Sequence, residues 1–348
     1  MAVRRVVLVS PRGFCAGVEM AIKALSWMVR VFEPPVYCYH EIVHNRVVVD
    51  RFRDMGVVFV DGIDEVPQGA PLMLSAHGTA PAVLAAARAR GGVVVDAVCP
   101  LVTKVHHELK VRAGKGYTVL YVGHEGHDEA VGTMAVAPAA VRLLQDEGDV
   151  DHLDLGPDTP VALLAQTTLS QHDWQGVLDA ARARFPELWM PGKSDLCFAT
   201  TNRQDALTAI APRADAIVVI GSPNSSNTVA LVKTASRAGC RRVVRVNGVD
   251  EVPSDLDGVV GVTAGASAPE ELVDAVVARL APLEGVEEVA MADEDEYFPP
   301  PAELRHLLRG IVAAISLGLG APVTPGPLLS EDRDVLASDV LATLSLSR

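Results

Sequence analysis

Six short apolar runs in this chain end in the same way, and that repetition constrains the fold more than any other feature. "VVLV" (Val6–Val9) runs into "SPRGFCAG", "LML" (Leu72–Leu74) into "SAHGTAP", and "TVLYV" (Thr118–Val122) into "GHEGHDE". "VALLA" runs into "QTTLSQ", "AIVVI" (Ala216–Ile220) into "GSPNSSN", and "VVGV" (Val259–Val262) into "TAGASAPEE". Each run has the length and apolarity of a buried strand. Each then delivers Gly with Ser, Thr, Asn, His or Cys, usually just ahead of a helical pattern. In open α/β sheets, ligands bind beyond the carboxyl ends of the strands, where helix N-termini also point. One such motif alone reads as an ordinary helix cap. Six together argue for a shared site.

Val93–Val95, Val161–Leu164 and Val243–Val246 complete the strand candidates. Val18–Val31, Ala82–Arg90, Trp174–Arg184, Ala230–Ala238 and Pro269–Leu280 have helical patterns. Alternation of this kind predicts an α/β chain with small, mainly parallel sheets covered by helices. With 348 residues, 49% of them hydrophobic, the chain can bury a large core. Its net charge of −14 argues against nucleic acid as a general partner, leaving room for a local basic patch. The apolar stretches fall short of a membrane span, and "MAVRRVVLVS" lacks the apolar core of a signal peptide. Five widely spaced cysteines suit reduced thiols in a cytoplasm better than a disulfide framework.

The cysteines mark a larger rhythm. Cys15, Cys99 and Cys197 stand 84 and 98 residues apart, each at a strand end or turn: "RGFCAG", "DAVCPLVTK" and "SDLCFATTNR". That spacing predicts three similar α/β units at residues 17–99, 100–193 and 194–298, the last joined by the N-terminal strand in 1–16. Residues 299–348 form a C-terminal segment, with a helix presenting Leu304, Leu307, Leu308, Ile311 and Ile315 on one face, then a tail that is flexible or packed on the surface. Cys38 and Cys240 have no polar motif beside them and read as packing residues. A CxxC pair, the strong zinc signal, does not occur. Three thiolates from distant segments suit a soft metal or a cluster. Iron–sulfur clusters ordinarily take four cysteines, so three would leave one iron open to a substrate. On spacing alone, core cysteines and cluster ligands are equally supported.

Nine motifs, in this order, break the tie: "PRGFCAGV", "HEIVHNR", "SAHG", "DAVCPLVTKVH", "GHEGHDEAVGTM", "QTTLS", "CFATTNRQ", "GSPNSSN" and "GVTAGASAPE". Together they resemble the 4-hydroxy-3-methylbut-2-enyl diphosphate reductase family, over approximately Arg5 to Arg305. The resemblance implies three α/β units arranged pseudo-threefold around a central cluster. It implies Cys15, Cys99 and Cys197 as ligands of a 4Fe–4S cluster with one open iron, reading as 3Fe–4S when damaged. The implied reaction is reductive dehydroxylation of an allylic diphosphate to isopentenyl and dimethylallyl diphosphates, with two electrons and two protons. The family's electron donors are small ferredoxin- or flavodoxin-type proteins.

The same resemblance assigns further roles. Glu129 matches the proton-delivering glutamate, in "HDE". Thr168 matches the threonine that orients the hydroxyl and relays protons, with Thr167 beside it. His44, His77 and His127 match the diphosphate-binding histidines, His127 also standing at the catalytic end. Ser225, Ser226, Asn227 and Ser267 complete the substrate-binding set. His40, His106, His107 and His124 have no match and read as structural or surface residues. "AVGTMA", after the glutamate, departs from an expected acidic residue. Two other classes stand beside this one: a non-enzymatic iron–sulfur redox sensor, needing neither Glu129 nor Thr168, and a Cys/His zinc hydrolase active without reductant.

Overall fold

The computed structural model describes residues 2–156, 158–323 and 332–345. The chain opens with β1 (Val3–Ser10), α1 (Ala16–Val31), β2 (Val36–Tyr39), α2 (Arg46–Asp54), β3 (Val57–Val60), β4 (Leu72–Leu74), α3 (Pro81–Ala89) and β5 (Val94–Asp96). It continues with α4 (Pro100–Gly114), β6 (Thr118–Val122), α5 (Asp128–Met134), β7 (Val141–Leu144), α6 (Gly148–Asp151), β8 (Val161–Ala165) and α7 (Gln171–Arg184). Then follow α8 (Phe198–Ile210), β9 (Ala216–Ile220), α9 (Ser226–Arg237), β10 (Val243–Val246), β11 (Gly258–Ala264), α10 (Glu270–Leu280) and β12 (Val286–Ala290). Two helices, α11 (Ala302–Leu319) and α12 (Ala337–Ser345), close the described chain.

Among the described residues these strands form three sheets, ordered β10-β9-β11-β1-β12, β3-β2-β4-β5 and β7-β6-β8, with parallel pairing throughout. β1 sits between β11 and β12, with Val6 opposite both Val260 and Val286. Parallel strands need helical crossovers and are covered on both faces, which is why β8 and β9 read as unbroken apolar runs and are wholly buried. The expected α/β class with small parallel sheets stands.

Each sheet carries its own apolar packing. Leu120, Leu163 and Trp174 pack in one cluster, Val6, Val218 and Val262 in another, and Ile22, Met28 and Met73 in a third. Strands missed by the apolar-run criterion explain themselves. β12 is an edge strand with Val286, Glu288 and Ala290 exposed, and Glu287 and Glu288 interrupt any continuous apolar run.

The C-terminal segment departs from the expected surface tail. Leu304 and Leu308 are buried as expected, but Ile315 is 48% exposed. Ala337, Val340 and Leu341 are buried against α1 residues such as Ile22 and Met28. Lys23, itself buried, holds that contact by donating to the carbonyls of Asp332 and Val335, each at 3.1 Å, and by pairing with the Asp332 carboxylate at 3.5 Å. Among the described residues no helix is long and apolar enough to cross a membrane.

Candidate active site

Cys15, Cys99 and Cys197 occupy one equivalent position: each is the residue that caps the N-terminus of a helix, α1, α4 and α8 respectively. The chain leaves a strand or turn in extended conformation at each cysteine and then winds into helix, so the side chain lies at the positive end of the helix dipole. All three thiols line one cavity with Glu129, Thr167, Thr168 and Phe298. A Cβ on Gly17 would lie 2.9 Å from Cys99 Sγ and 4.0 Å from Cys15 Sγ, so the glycine of "CAG" makes room for two sulfurs. The Cys197 sulfur accepts from the Thr200 amide at 3.3 Å and lies 3.0 Å from the Thr200 hydroxyl. Cys15 is fastened from behind: its amide donates to Ala266 O, and buried Arg203 donates to Gly13 O and to Glu294. Cys38 and Cys240 are buried outside this cavity, as expected of packing residues.

Burial pushes all three thiols up, Cys197 to about 12, and at Cys99 and Cys197 the neighbouring cysteines add to the rise. For Cys15, the Arg203 charge works against burial. Neighbouring thiolates in an apolar pocket need a cation, and the donor set is the soft kind that iron–sulfur clusters and zinc favour. The three thiols therefore fit a metal cluster with fewer than four cysteines.

Glu129, 2% exposed, sits across the cavity. Burial pushes its carboxyl up to about 7, and the Asp195 charge adds to this, against two hydrogen bonds that pull it down. Both bonds come from Thr167: its amide donates to Oε1 at 2.7 Å and its hydroxyl to Oε2 at 3.1 Å. The expected relay residue was Thr168. Its hydroxyl instead accepts from Gln166 Nε2 at 3.0 Å, because consecutive residues leaving the end of β8 point in different directions. The threonine that meets Glu129 is Thr167.

The three expected histidines come together from separate elements. His44 and His77 stack with centroids 3.9 Å apart, and His127 meets them edge-on at 5.1 and 5.9 Å. His127 Nδ1 accepts from the Glu129 amide at 3.2 Å, so its hydrogen sits on Nε2. That Nε2, His44 Nε2 and His77 Nδ1 are buried without a hydrogen-bond partner. Burial pushes His127 down to about 4, and burial with the neighbouring histidines holds His77 well below its usual value. All three rings line the cavity, and buried polar atoms left without a partner beside a cavity mark a polar ligand's place.

Ser225 caps α9, with Ser226 and Asn227 in its first turn. All three line the same cavity, as does Ser267, whose hydroxyl donates to His44 O at 2.9 Å. Asn227 Oδ1 accepts from Ala266 N at 3.0 Å, tying α9 to the segment that holds Cys15. His106 and His124 stay outside the cavity lining, as does exposed His107. His40 has a structural partner. It lies 2.7 Å from Asp128, and Asp128 in turn faces His44 and His77.

The LytB protein family model matches residues 6–281. The 4-hydroxy-3-methylbut-2-enyl diphosphate reductase of Rhodopirellula baltica is 48% identical over 310 residues, spanning 88% of this chain and 97% of that protein. The one from Mycolicibacterium paratuberculosis is 46% identical over 307 residues, 87% of this chain and 92% of that protein. The chain belongs to this family. The solved E-1-hydroxy-2-methyl-but-2-enyl-4-diphosphate reductase from Plasmodium falciparum superposes with a TM-score of 0.85 at 30% identity, covering 89% of this chain and 99% of that one. Members of the LytB reductase family are iron–sulfur enzymes, which agrees with the thiol donor set and disfavours the zinc hydrolase and sensor readings. The family model ends before α11, and the buried C-terminal contact through Lys23 lies beyond it.

Proposed function

We propose that this reductase holds a 4Fe–4S cluster on Cys15, Cys99 and Cys197 and removes the allylic hydroxyl of (E)-4-hydroxy-3-methylbut-2-enyl diphosphate, giving isopentenyl and dimethylallyl diphosphates. The observation that carries this reading is the meeting of three helix-capping thiols with buried Glu129 in one cavity. When bound, the cluster supplies two electrons and Lewis acidity at an iron without a cysteine, chemistry that no side chain performs.

The chain's own residues do the rest. Hydroxide is a poor leaving group and needs a proton. A carboxyl raised to about 7 is half protonated near neutral pH, so Glu129 can hold that proton and give it up. Thr167 fixes both carboxyl oxygens, and its hydroxyl can pass the proton by reversing its own hydrogen bond. Thr168 lines the cavity beside it and shapes the space for the hydroxyl.

His44, His77 and His127 receive the diphosphate, His127 by donating from Nε2. Ser225, Ser226 and Asn227 add the N-terminus of the 12-residue helix α9, a favourable place for an anion, and Ser267 closes the set. Two electrons per turnover arrive from a ferredoxin- or flavodoxin-type protein. The five free thiols suit a reducing, cytoplasmic setting. The test is one anaerobic assay with the hydroxylated diphosphate and a strong reductant, before and after cluster reconstitution. Brown protein with near-equal iron and sulfide, and turnover that follows iron content, is expected. Colourless, iron-free but active protein would overturn the reading.

A further inference from the structure

We propose that Asp128 is a positioning residue for the diphosphate-binding histidines. With His40 behind it, its carboxylate orients the hydrogens of His44 and His77 and supplies the counter-charge when His77 takes up a proton as the anion arrives. This rests on the reading of the histidine cluster as the diphosphate subsite.

Asp128 divides its two oxygens. Oδ1 lies 2.7 Å from His40 Nδ1, a charge-assisted contact. Oδ2 faces both His44 Nε2, at 3.7 Å, and His77 Nδ1, at 3.8 Å. Those two distances are too long for hydrogen bonds but within the range at which a charge decides protonation. Both ring nitrogens are buried without a hydrogen-bond partner, so this carboxylate oxygen is the polar atom opposite them. His44 is bracketed by acids, since its Nδ1 lies 3.2 Å from Glu41 Oε2.

The consequence follows from the hydrogens. A neutral His77 carries one hydrogen, and the carboxylate draws it to Nδ1, leaving Nε2 as an acceptor. An acceptor repels a phosphate oxygen, so the ring binds the anion well only after taking up a second hydrogen. Burial, with His44, His127 and His40, disfavours the charged form of His77. The arriving anion and Asp128 then flank an imidazolium and stabilise it together. Diphosphate binding therefore takes up protons, and affinity falls as pH rises.

The other groups facing this set are few. His40 has Asp61 and Tyr39 near it, and Glu41 is influenced by Arg53. His124 faces His127. Asp128 itself is pushed up by burial but held below its usual range, chiefly by the His40 hydrogen bond. It thus stays ionised at near-neutral pH.

The test uses reconstituted holoenzyme and inorganic diphosphate as a competitive inhibitor, with Ki and the substrate KM measured from pH 6 to 8.5. Wild-type Ki should rise with pH. Asp128→Asn should raise Ki and KM together by about tenfold at pH 7.5, one pKa unit of lost imidazolium stabilisation, with kcat and iron content little changed. Asp128→Glu should recover most of the affinity. If His77→Asn weakens inhibition but Asp128→Asn leaves Ki unchanged or tightens it, the role given to Asp128 is overturned. If His77→Asn and His127→Asn both leave Ki unchanged, the diphosphate subsite itself is misplaced.

Discussion

Replacing Glu129 with Gln changes one proton and little else. Gln keeps the shape, and its carbonyl can accept the Thr167 amide that now bonds Oε1 at 2.7 Å. Its amide can donate to the Thr167 hydroxyl, which now lies 3.1 Å from Oε2, once that hydroxyl turns its hydrogen away. The cost of ionising the carboxyl disappears. In the unfolded chain the carboxyl titrates near 4.5, whereas in the fold burial raises it to about 7. A group that holds its proton more tightly when folded costs stability as pH rises between those values. At 1.36 kcal/mol for each pKa unit, that cost reaches about 3 kcal/mol above pH 7.

Two assays read the two consequences. In melts of the cluster-free chain under reducing conditions, Glu129→Gln should match wild type near pH 4.5 and exceed it by about 3 kcal/mol at pH 8. In anaerobic turnover of the holoenzyme, the variant should keep its iron yet lose roughly 10²- to 10⁴-fold in rate, the usual worth of a positioned general acid. Wild-type turnover should fall as pH rises past about 7, where Glu129 loses its proton. A near-normal rate in the variant would show that the proton comes from elsewhere. Equal stability at pH 8 would show that the fold does not hold this carboxyl protonated.

The remaining predictions test the surroundings of that proton. Cys15→Ser, Cys99→Ser and Cys197→Ser should each lose iron, measured against sulfide, while Cys38→Ser and Cys240→Ser keep it. Gly17→Ala should lower iron incorporation without unfolding the chain, because its Cβ would stand 2.9 Å from Cys99 Sγ; normal iron content would show that the sulfur can give way. Thr167→Val should reduce turnover far more than Thr168→Val and raise the pH at which turnover declines, because the Thr167 hydroxyl bond holds the Glu129 carboxyl down. Equal effects of the two valines would return the relay to Thr168.

Much of the site was legible because nine ordered motifs resemble those of one family; spacing alone left core cysteines and cluster ligands equally supported. All three thiols, Glu129 and the three histidines could be named from "RGFCAG", "DAVCPL", "SDLCFA", "HDE" and their neighbours, and they line one cavity. Direction at single-residue precision was not legible. Thr167 and Thr168 are chemically identical neighbours, and only the path of the chain out of β8 decides which meets Glu129. Long-range contacts were equally hidden. His40 and Asp128 are 88 residues apart, and nothing in either motif announces the other. Helices α4 and α8 escaped the helical pattern because each begins inside a polar motif, right after a cysteine. The buried lock of Lys23 on Asp332 joins α1 to a segment 309 residues away, a contact that local periodicity, which gave only a flexible or surface-packed tail, does not register.

The placement of the thiols at helix ends invites the conclusion that helix dipoles ionise them, and the magnitudes decide otherwise. Raising Cys197 from its ordinary 9.0 to about 12 corresponds to about 4 kcal/mol against the thiolate. A helix N-terminus returns roughly 0.3–1 kcal/mol, up to about 2 in a partly buried site. The dipoles of α1, α4 and α8 therefore reduce the penalty without removing it, and Arg203 adds its charge chiefly at Cys15. Without a metal the pocket is three neutral thiols with apolar walls, compatible with folding. A coordinating cation deprotonates thiols outright. On the proposed ligand set, cluster insertion releases protons, with affinity that rises with pH, the reverse of the dependence proposed for the diphosphate. The two halves of one cavity then pull in opposite directions. Alkaline conditions favour loading the thiols with iron, while mildly acidic ones favour filling the histidine end with substrate.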